Sequence, residues 1–430
     1  MRVLVTGAYG FIGSHVVARL VADGCGVVGA GRDVASARLR RPDVEWIAAD
    51  FARMQRPEDW LPHLQGIDAV VNCVGVLQDS PRDSTLAAHV QGPAALFDAC
   101  ERAGVRRVIQ ISAIGVGAEH DTEFARTKFA ADEDLMRRDL DWVVLRPSLV
   151  VGRGAYGGTA LLRALAALPG IVPLAQPGAL VQPVQMDELA ATVAFFLKPN
   201  APARRVLEIA GPERLTLAEM IALYRRWLGL NPAPVMSVPN WLASVAFRFG
   251  DAISLLGWRP PLRTTSLRQL ARGIVGDPSE WTRLTGIKPR RLEDALAAAP
   301  VGAQERWFAR LYLLQPLVIG GLALFWIASG LIALGPARAE TLAIAHAAFG
   351  QWAFPVALAA SLLDIAIGAG IAFRTTARAG LHAAWIISFG HLAGATFFLP
   401  QLWLDPLGAL VKVLPILVLT FVALAILDDR

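Results

Sequence analysis

The sequence predicts an α/β protein with a doubly wound parallel sheet and a smaller C-terminal lobe, followed by an all-α four-helix transmembrane bundle. A glycine-rich turn joins an apolar strand to a helix at the start of the chain. Apolar strands then alternate with helical patterns up to about residue 150, which is typical of parallel sheets with right-handed crossovers. Four long apolar runs follow residue 310, and each is long enough to cross ~30 Å of hydrocarbon.

The composition is too apolar for a chain that is soluble throughout, with 54% hydrophobic and 18% charged residues among 430. The net charge of +5 comes from scattered arginines, and no basic run is interleaved with aromatic residues, so we expect no nucleic-acid partner. Cys25, Cys73 and Cys100 have no metal-ligand spacing, which predicts free thiols in a reducing compartment and no metal site. The chain opens on its first strand, so we expect no signal peptide and a cytoplasmic N-terminal region.

The first turn has the pattern of a loop that binds phosphate. Residues 2–5 form an apolar strand, and a helical pattern follows the glycine-rich residues 6–13. We expect Gly7 to permit the tight turn, Gly10 to admit a pyrophosphate at the helix N-terminus, and Gly13 to let helix and strand pack closely. The alternative is an ordinary β-α turn. The predicted dinucleotide contacts here are Gly7, Tyr9, Gly10, Phe11, Ile12 and Gly13.

The end of the second strand predicts which dinucleotide is bound. Residues 25–31 form the second apolar run, and Arg32 and Asp33 follow it. At this place an arginine accommodates the 2′-phosphate of NADP(H), whereas an acidic residue binds the 2′-hydroxyl of NAD(H). Arg32 therefore favours NADP(H), and Asp33 directly behind it keeps NAD(H) possible. The alternative is that Arg32 is a solvated loop residue.

Further candidate contacts follow other strands, because open α/β sheets bind ligands at the carboxyl ends of their strands. The third strand, residues 44–49, ends at Asp50, which can bond the adenine amino group or cap the turn. The fourth strand, residues 69–73, runs into small residues that let a cofactor lie across it. The predicted contacts in these turns are Asp50, Phe51, Cys73, Val74, Gly75 and Pro147.

Residues 1 to about 300 resemble the short-chain dehydrogenase/reductase superfamily in its extended or atypical form, which includes NAD-dependent epimerases and dehydratases. The nearest pattern is that of the atypical members that include the nucleotide-binding accessory subunit of respiratory complex I. The resemblance implies a Rossmann-type fold in which Ser112 and Lys128 are the catalytic candidates, with Ser112 facing the nicotinamide and Lys128 bonding the cofactor ribose. The matching positions are residues 6–13, Asp50, residues 72–75, Ser112, Lys128, residues 146–152 and residues 183–190.

Three polar positions depart from this family pattern. Active members carry a tyrosine four residues before the lysine, and here that position is Phe124. A phenol can donate a proton when a nearby ammonium lowers its pKa, whereas phenylalanine has no proton to donate. His89 stands where the extended enzymes usually have asparagine, and Gln185 where they often have histidine. Tyr156 can reach the site in place of the missing tyrosine, or it is a loop residue at the rim of the pocket.

The part of the chain that follows the first domain predicts a lobe and then a membrane region. Within the lobe, the amphipathic residues 240–256 can lie on a membrane interface, roof the substrate pocket or pack within the lobe. The predicted segments are 1–152, the NAD(P)-binding domain; 153–300, a smaller substrate-side lobe partly interleaved with its sheet; 301–310, a linker; and 311–427, the membrane domain.

The C-terminal runs predict a multi-pass protein of the inner or plasma membrane. Arginines precede the first run and lie between the second and third, so the positive-inside rule places both termini in the cytoplasm. The region, with Asp405-Pro406-Leu407-Gly408 before its last run, resembles the DoxX-like membrane family. The predicted spans lie near residues 311–334, 352–373, 380–399 and 407–427.

One carboxylate, Asp364, falls inside a predicted span, where an ionisable group needs a polar partner. His382 and His391 on the next run are the candidate partners. The cluster predicts either a proton-linked or quinone-facing site, or a structural polar bridge between helices.

These patterns leave three hypotheses for the function. The first is a membrane-anchored NAD(P)-dependent oxidoreductase acting on a small or lipid-soluble carbonyl, hydroxyl or quinone compound. The second is a non-catalytic dinucleotide-binding module that stabilises or regulates a respiratory-type membrane complex, which Phe124 favours. The third, nucleotide-sugar epimerisation or dehydration, is weaker because Phe124 disfavours it. The expected partners are a dinucleotide and the lipid bilayer.

Overall fold

The computed structural model describes residues 1–117, 119–406 and 408–427, and it contains two compact units. The first unit comprises Met1–Ala252 and Pro260–Ala309, and the second comprises Ile253–Arg259 and Arg310–Arg430. The strands are β1 (Arg2–Thr6), β2 (Gly26–Gly31), β3 (Glu45–Ala48), β4 (Ala69–Asn72), β5 (Arg107–Ile111), β6 (Asp141–Pro147), β7 (Val150–Val151), β8 (Val172–Leu174), β9 (Leu180–Val181), β10 (Val184–Gln185), β11 (Arg205–Ile209), β12 (Leu215–Thr216) and β13 (Val235–Ser237).

The helices up to residue 311 connect and cover these strands. A π-helical turn, Ala87–Gln91, leads directly into the fourth helix. The helices are α1 (Phe11–Ala22), α2 (Val34–Arg40), α3 (Pro57–Trp60), α4 (Gly92–Ala103), α5 (Glu123–Met136), α6 (Gly158–Ala166), α7 (Met186–Phe196), α8 (Leu217–Trp227), α9 (Asn240–Leu255), α10 (Thr264–Arg272), α11 (Ser279–Thr285), α12 (Leu292–Ala297) and α13 (Ala303–Leu311).

Seven strands form one parallel sheet, in the order β3-β2-β1-β4-β5-β6-β11. This arrangement confirms the predicted doubly wound sheet. The chain runs outward from β1 in both directions, so the strand order reverses between β1 and β4. Ligands of open α/β sheets bind at that reversal, outside the carboxyl ends of the strands.

The sheet is covered on both faces, which explains why the middle of its interior strand β1 is apolar. Val3, Leu4 and Val5 of β1 are fully buried. Val3 and Val5 pack into the core on one face of the sheet, and Leu4 packs into the core on the other. A strand buried on both faces reads as a continuous apolar run, and this is the pattern from which β1 was predicted.

A buried polar row crosses the carboxyl edge of the sheet. Thr6, Asn72 and Gln110 lie side by side on β1, β4 and β5. The Thr6 hydroxyl donates to Asn72 Oδ1 at 2.6 Å, and Asn72 Nδ2 donates to Gln110 Oε1 at 2.7 Å. The Val74 N–H also donates to Asn72 Oδ1, at 3.2 Å, so this row fixes the start of the turn that follows β4.

The second unit is helical, and within the described residues three of its helices are long and apolar enough to cross a membrane: Leu314–Leu334, Arg338–Ala372 and Ala377–Phe398. The middle one includes a short 3₁₀ turn, Gly350–Trp352, and residues 338–349 are helical where the sequence indicated only a connection. The helices are α14 (Leu314–Leu334), α15 (Arg338–Phe349), α16 (Ala353–Ala372), α17 (Ala377–Phe398) and α18 (Val413–Ile426).

The predicted fourth span differs from the structure in length. The helix in that part of the chain, α18, has 14 residues. At 1.5 Å per residue it is about 21 Å long, which is shorter than the ~30 Å hydrocarbon core. Residue 407, where the predicted span began, lies outside the described residues. The apolar residues 409–411 lie in turns, and the helix begins only at Val413.

Small residues bring two membrane helices into close contact and place the intramembrane carboxylate. A Cβ at Gly330 on α14 would meet the Ser361 carbonyl, and one at Gly368 on α16 would meet the Ala323 carbonyl. Such small residues let membrane helices approach closely. Asp364 is buried in α16 and accepts a hydrogen bond from Ser329 Oγ at 3.1 Å. Ser329 was not among the predicted partners.

His382 and His391, the predicted partners of Asp364, both lie on α17 and are exposed. The Nδ1 atom of His382 donates to the Arg378 carbonyl of its own helix at 2.8 Å. The hydrogen bond to Asp364 comes from Ser329 on α14. Of the two predicted partners, His391 also interacts with the Asp364 carboxylate through its charge.

Candidate functional site

The glycine turn after β1 lies at the strand reversal and has room only for glycine. Gly7 has φ +64°, and a Cβ there would stand 3.0 Å from the Cys73 carbonyl carbon on the neighbouring strand end. A Cβ at Gly13 would collide with the Gly7 carbonyl. Gly10 precedes α1 and supplies no side-chain cap, so the N-terminal N–H groups of the helix are left for an anion. These residues therefore fit a dinucleotide pyrophosphate.

Tyr9 holds the turn at the end of β2. Its hydroxyl accepts hydrogen bonds from the backbone N–H groups of Arg32 at 3.1 Å and Asp33 at 3.2 Å. Its ring lies against Gly31, where a Cβ would overlap the ring atoms. The Tyr9 side chain thus holds the backbone of residues 31–33, the segment that would contact the adenosine ribose.

Arg32 lies at the predicted position, but its guanidinium already has a carboxylate partner. Its Nη1 is 2.9 Å from Asp83 Oδ1 and donates to the Arg82 carbonyl at 3.2 Å. Burial alone would lower the pKa of Arg32, but the Asp83 carboxylate raises it above its ordinary value. Asp33 caps α2 by accepting from the Ser36 N–H at 3.1 Å. Hydrogen bonds from the side chain and then the backbone of Ser36 lower the pKa of Asp33. Asp83 was not predicted.

The side chains of the two residues that follow the third strand, Asp50 and Phe51, contact other parts of the protein. Asp50 Oδ1 accepts from the Ala52 N–H at 3.1 Å, which is the turn-capping role that the sequence left open. Phe51 is buried, packs against Gly92 and meets the Trp60 ring edge to face at 5.3 Å. Its side chain belongs to the core, so only its backbone can border a ligand.

Lys128 lies beneath the turn after β4, in the place that the family resemblance implies. Its Nζ donates to the Val74 carbonyl at 3.1 Å and the Ile111 carbonyl at 2.9 Å, so it bridges the ends of β4 and β5. A Cβ at Gly75 would stand 3.2 Å from this Nζ. Burial lowers the pKa of Lys128 to about 8. An ammonium has three N–H donors, so these two bonds do not exhaust it.

Cys73, in the same turn, is not an ionised nucleophile. Burial raises the pKa of its thiol to about 12, and the charge of Lys128 offsets this only in part. The thiol therefore stays protonated at neutral pH, and Cys73 borders the site through its backbone and its small size.

His89 is a buried neutral side chain of the same cluster. Its Nε2 accepts from the Val76 N–H at 3.0 Å. Its Nδ1 must therefore carry the proton and donate to Thr127 Oγ1, 2.8 Å away. Burial, and then the charge of Lys128, lower the pKa of His89 to about 2. His89 is thus a structural group that holds the Val76 backbone, not an acid at neutral pH.

Ser112, the predicted partner of the nicotinamide, donates its proton to a buried carboxylate. Its Oγ is 2.8 Å from Asp132 Oδ2, and the same oxygen accepts from Arg146 Nε at 3.0 Å and Nη2 at 2.9 Å. Asp132 is fully buried, and this burial raises its pKa against the opposing effect of Arg146. Sequence reasoning missed Asp132, although it lies one turn after Lys128 on the inner face of α5.

Phe124 occupies the tyrosine position beside this cluster. Its ring meets the His89 ring edge to face, with 5.6 Å between centroids. Tyr156, the proposed replacement, instead stacks on Phe11 at the N-terminus of α1, with 5.7 Å between centroids. The structure therefore brings Tyr156 to the glycine turn. Gln185 is buried at the start of α7, and the Pro147 carbonyl accepts from the Ile114 N–H at 3.0 Å.

Comparison with known families matches both parts of the chain. Residues 7–163 match the model of an NAD(P)H-binding family, and residues 323–421 match that of the DoxX-like family. The first match begins at Gly7, directly after β1, and ends within α6. It includes the glycine turn, Arg32, Ser112 and Lys128. The second spans most of α14 to α18.

Characterised relatives cover more of the chain. Sterol demethylase protein B of Methylococcus capsulatus is 25% identical over 342 residues, which are 71% of this chain and 99% of the relative. The mitochondrial NADH-ubiquinone oxidoreductase 40 kDa subunit of Neurospora crassa is 25% identical over 291 residues, which are 66% of this chain and 75% of the subunit. The second relative bears out the predicted resemblance to the complex I accessory subunit.

Solved structures agree on the fold. The dTDP-glucose 4,6-dehydratase DesIV of Streptomyces venezuelae, solved with NAD bound, superposes with a TM-score of 0.54 at 21% identity, over 72% of this chain and 97% of the enzyme. The chain therefore joins an NAD(P)-binding, Rossmann-like domain, which is similar to short-chain dehydrogenases and to epimerases and dehydratases, to a C-terminal DoxX-like domain.

Proposed function

We propose that this chain is a membrane-anchored NAD(P)(H)-dependent oxidoreductase that acts on a small or lipid-soluble carbonyl, hydroxyl or quinone compound. The observation that carries the proposal is the position of Lys128 Nζ, beside Gly75 and between the ends of β4 and β5. This ammonium lies at the ligand edge of a dinucleotide sheet, in a chain that also has membrane-spanning helices. The similarity to a protein named for sterol demethylation supports a lipid-soluble substrate.

The residues that would hold the cofactor follow from the geometry. The Gly7–Gly13 turn would bind the pyrophosphate, Arg32 the 2′-phosphate of NADP(H), and Lys128 a ribose hydroxyl. The bound dinucleotide would supply or accept the hydride. Arg32 favours NADP(H), although its ion pair with Asp83 weakens that preference and leaves NAD(H) as the alternative.

Lys128 is the group that would hold the proton for a reduced carbonyl. Phe124 has no proton to donate, the Ser112 proton is bonded to Asp132, and His89 is neutral. The pKa of Lys128, about 8, keeps its ammonium protonated at neutral pH yet able to release a proton. When hydride reaches a carbonyl carbon, the oxygen gains the electron pair of the C=O bond and takes the proton from Nζ.

Phe124 supports a second candidate, a non-catalytic dinucleotide-binding module of a membrane complex. Without a tyrosine, and with Ser112 bonded to Asp132, the site keeps cofactor contacts but lacks the family's proton relay. The similarity to a subunit of NADH-ubiquinone oxidoreductase agrees with this role. The proposal for either function places the dinucleotide domain in the cytoplasm, on the side of the arginines that precede the first span.

The test uses the full chain extracted in mild detergent and reconstituted in nanodiscs. Mass spectrometry first identifies any nucleotide that copurifies. NADPH and NADH oxidation is then followed with a water-insoluble ketone, an aldehyde and a quinone. We expect a bound dinucleotide and turnover of at least one compound, which Phe124→Tyr accelerates and Lys128→Met abolishes.

Phe129→Tyr on the same helix is the matched control and should leave turnover unchanged. Binding without turnover in both the native chain and Phe124→Tyr would support the non-catalytic module and overturn the oxidoreductase. Absence of dinucleotide binding would exclude both candidates.

A further inference from the structure

Helix α9 exposes an almost entirely apolar face. Trp241 is 69% exposed and Phe249 66%, and both lie on the same side of the helix. A soluble helix turns this kind of surface toward a core. The exposed residues of α9 after Asn240 are Trp241, Leu242, Val245, Ala246, Arg248, Phe249, Ala252 and Leu255, of which only Arg248 is polar.

The opposite face of α9 is buried within the first unit and carries the acidic residue of the helix. Ala243 and Phe247 are buried. The Asp251 carboxylate accepts from Arg263 Nε at 2.9 Å and from Thr264 Oγ1 at 2.7 Å. The Asp251 carboxylate therefore points inward, whereas Trp241 and Phe249 point outward. This is the reverse of the arrangement expected for a helix whose outer side faces water.

The segment that follows α9 forms hydrogen bonds with the end of a membrane-spanning helix. Residues 253–259 belong to the second unit. Trp258 Nε1 donates to the Ala372 carbonyl, the last residue of α16, at 2.7 Å, and the Arg374 N–H donates to the Leu256 carbonyl at 2.9 Å. The Arg374 guanidinium also lies over the Trp258 ring, 5.5 Å from its centroid. Tryptophan and arginine at the end of a span are typical of the membrane–water interface.

We propose that the apolar face of α9 is inserted in the interface of the same bilayer that the spans cross. Helix α9 has an exposed face with two aromatic side chains, and only a few residues separate it from the end of a membrane span. Both properties are typical of a helix that lies in the membrane interface. Arg248, on the edge of this face, can extend to the lipid phosphates while its alkyl chain stays among apolar groups. The inference rests on the membrane-spanning helices and not on cofactor binding or catalysis.

The test places a fluorescent bimane label on Val245→Cys in the full chain in nanodiscs. Leu39→Cys on α2, which is 85% exposed and far along the sequence, is the matched control. The native chain, treated with the same label, measures the fluorescence that comes from labelling of Cys25, Cys73 and Cys100. Quenching is measured with a lipid that carries a nitroxide near its headgroup and with aqueous iodide.

We expect the nitroxide lipid to remove at least half of the Val245 fluorescence, and iodide to quench it several-fold less than the Leu39 label. Equal iodide quenching at both positions would show that the face is in water and overturn the proposal. Protection of Val245 from both quenchers would assign the face to a protein partner or a second copy, which also overturns it. Adding Phe249→Glu should lower the lipid quenching while NAD(P)H binding is retained.

Discussion

The Asp83 carboxylate lies 2.9 Å from the guanidinium of Arg32, the side chain that the sequence assigns to a 2′-phosphate. The Asp83 side chain is only 8% exposed, whereas that of Arg32 is 43% exposed. A 2′-phosphate must therefore compete with a nearly buried carboxylate for the same cation. The preference between NADP(H) and NAD(H) consequently depends on two residues from different loops.

Removing the charge of Asp83 should strengthen NADPH binding selectively. In Asp83→Asn the Arg32 guanidinium loses its competing carboxylate and its charge is fully available to the 2′-phosphate. We expect the NADPH dissociation constant to fall about tenfold, the equivalent of ~1.4 kcal/mol, with little change for NADH. Titration of nucleotide fluorescence in detergent measures both constants.

Asp23→Asn, which breaks the exposed pair of Asp23 with Arg19, is the control and should change neither constant. Arg32→Ala should weaken NADPH and leave NADH nearly unchanged. Equal changes for both nucleotides in the Asp83 and Arg32 variants would contradict the role of this pair.

Stability should fall in acid because of His89. Its pKa is about 2 in the folded chain and about 6.5 when unfolded, so only the unfolded state binds a proton between these values. The stabilisation is complete above pH 6.5 and is lost as the pH falls, by ~1.4 kcal/mol per unit. His89→Gln keeps an acceptor for the Val76 N–H but cannot be protonated.

The measurement compares thermal midpoints of the native and His89→Gln chains from pH 7.5 to 5. Because all other titrating groups are shared, their contribution cancels in the difference. The native chain should lose stability relative to the variant below pH 6.5. Parallel curves across this range would mean that His89 is accessible to protons in the folded state.

Gly13→Ala should disrupt the glycine turn. The added methyl group would overlap the Gly7 carbonyl, so helix α1 must move away from β1. Overpacking of this kind costs roughly 1–3 kcal/mol, and the shift also misplaces the N–H groups that face the pyrophosphate. We expect at least a tenfold loss of NAD(P)H affinity and a lower thermal midpoint. Gly178→Ala, where a methyl group meets no neighbour, should retain both.

Asp132 should contribute more to stability than Asp134, a half-buried acid on the same helix. Asp132→Asn leaves the largely buried Arg146 without its counter-charge, and breaking a buried pair costs about 3 kcal/mol. Asp134→Asn removes a more exposed partner of Arg138, which keeps its pairs with Asp98 and Glu101, so that change should cost less than about 1 kcal/mol. Thermal unfolding in detergent separates the two, and similar midpoints would argue against a buried Asp132–Arg146 pair.

Much of the fold could be predicted because the relevant signals are local. The apolar run of β1 and the glycine spacing that follows it determine a strand, a turn and a helix within 22 residues. Lys128 could be placed at the strand ends because its position in the family pattern is defined by a short motif. Such features depend on neighbours in sequence, and no knowledge of the packing is needed to recognise them.

The partners of the site residues could not be predicted, because they meet through space. Asp83 is 51 positions from Arg32, and Asp132 is 20 from Ser112. Hydropathy likewise overestimated the last membrane helix, because residues 409–411 are apolar but lie in turns before α18 begins at Val413. Composition measures how apolar a segment is and does not show where its backbone becomes helical.

The row formed by Thr6, Asn72 and Gln110 has a consequence for how this protein can change. Each side chain is satisfied by a member on the next strand, so replacing one alone leaves a buried amide or hydroxyl unpaired, at a cost of about 1–3 kcal/mol. Homologues should therefore show covariation among these three positions. Mutant libraries aimed at the cofactor edge will recover folded clones most readily when they sample the three codons jointly.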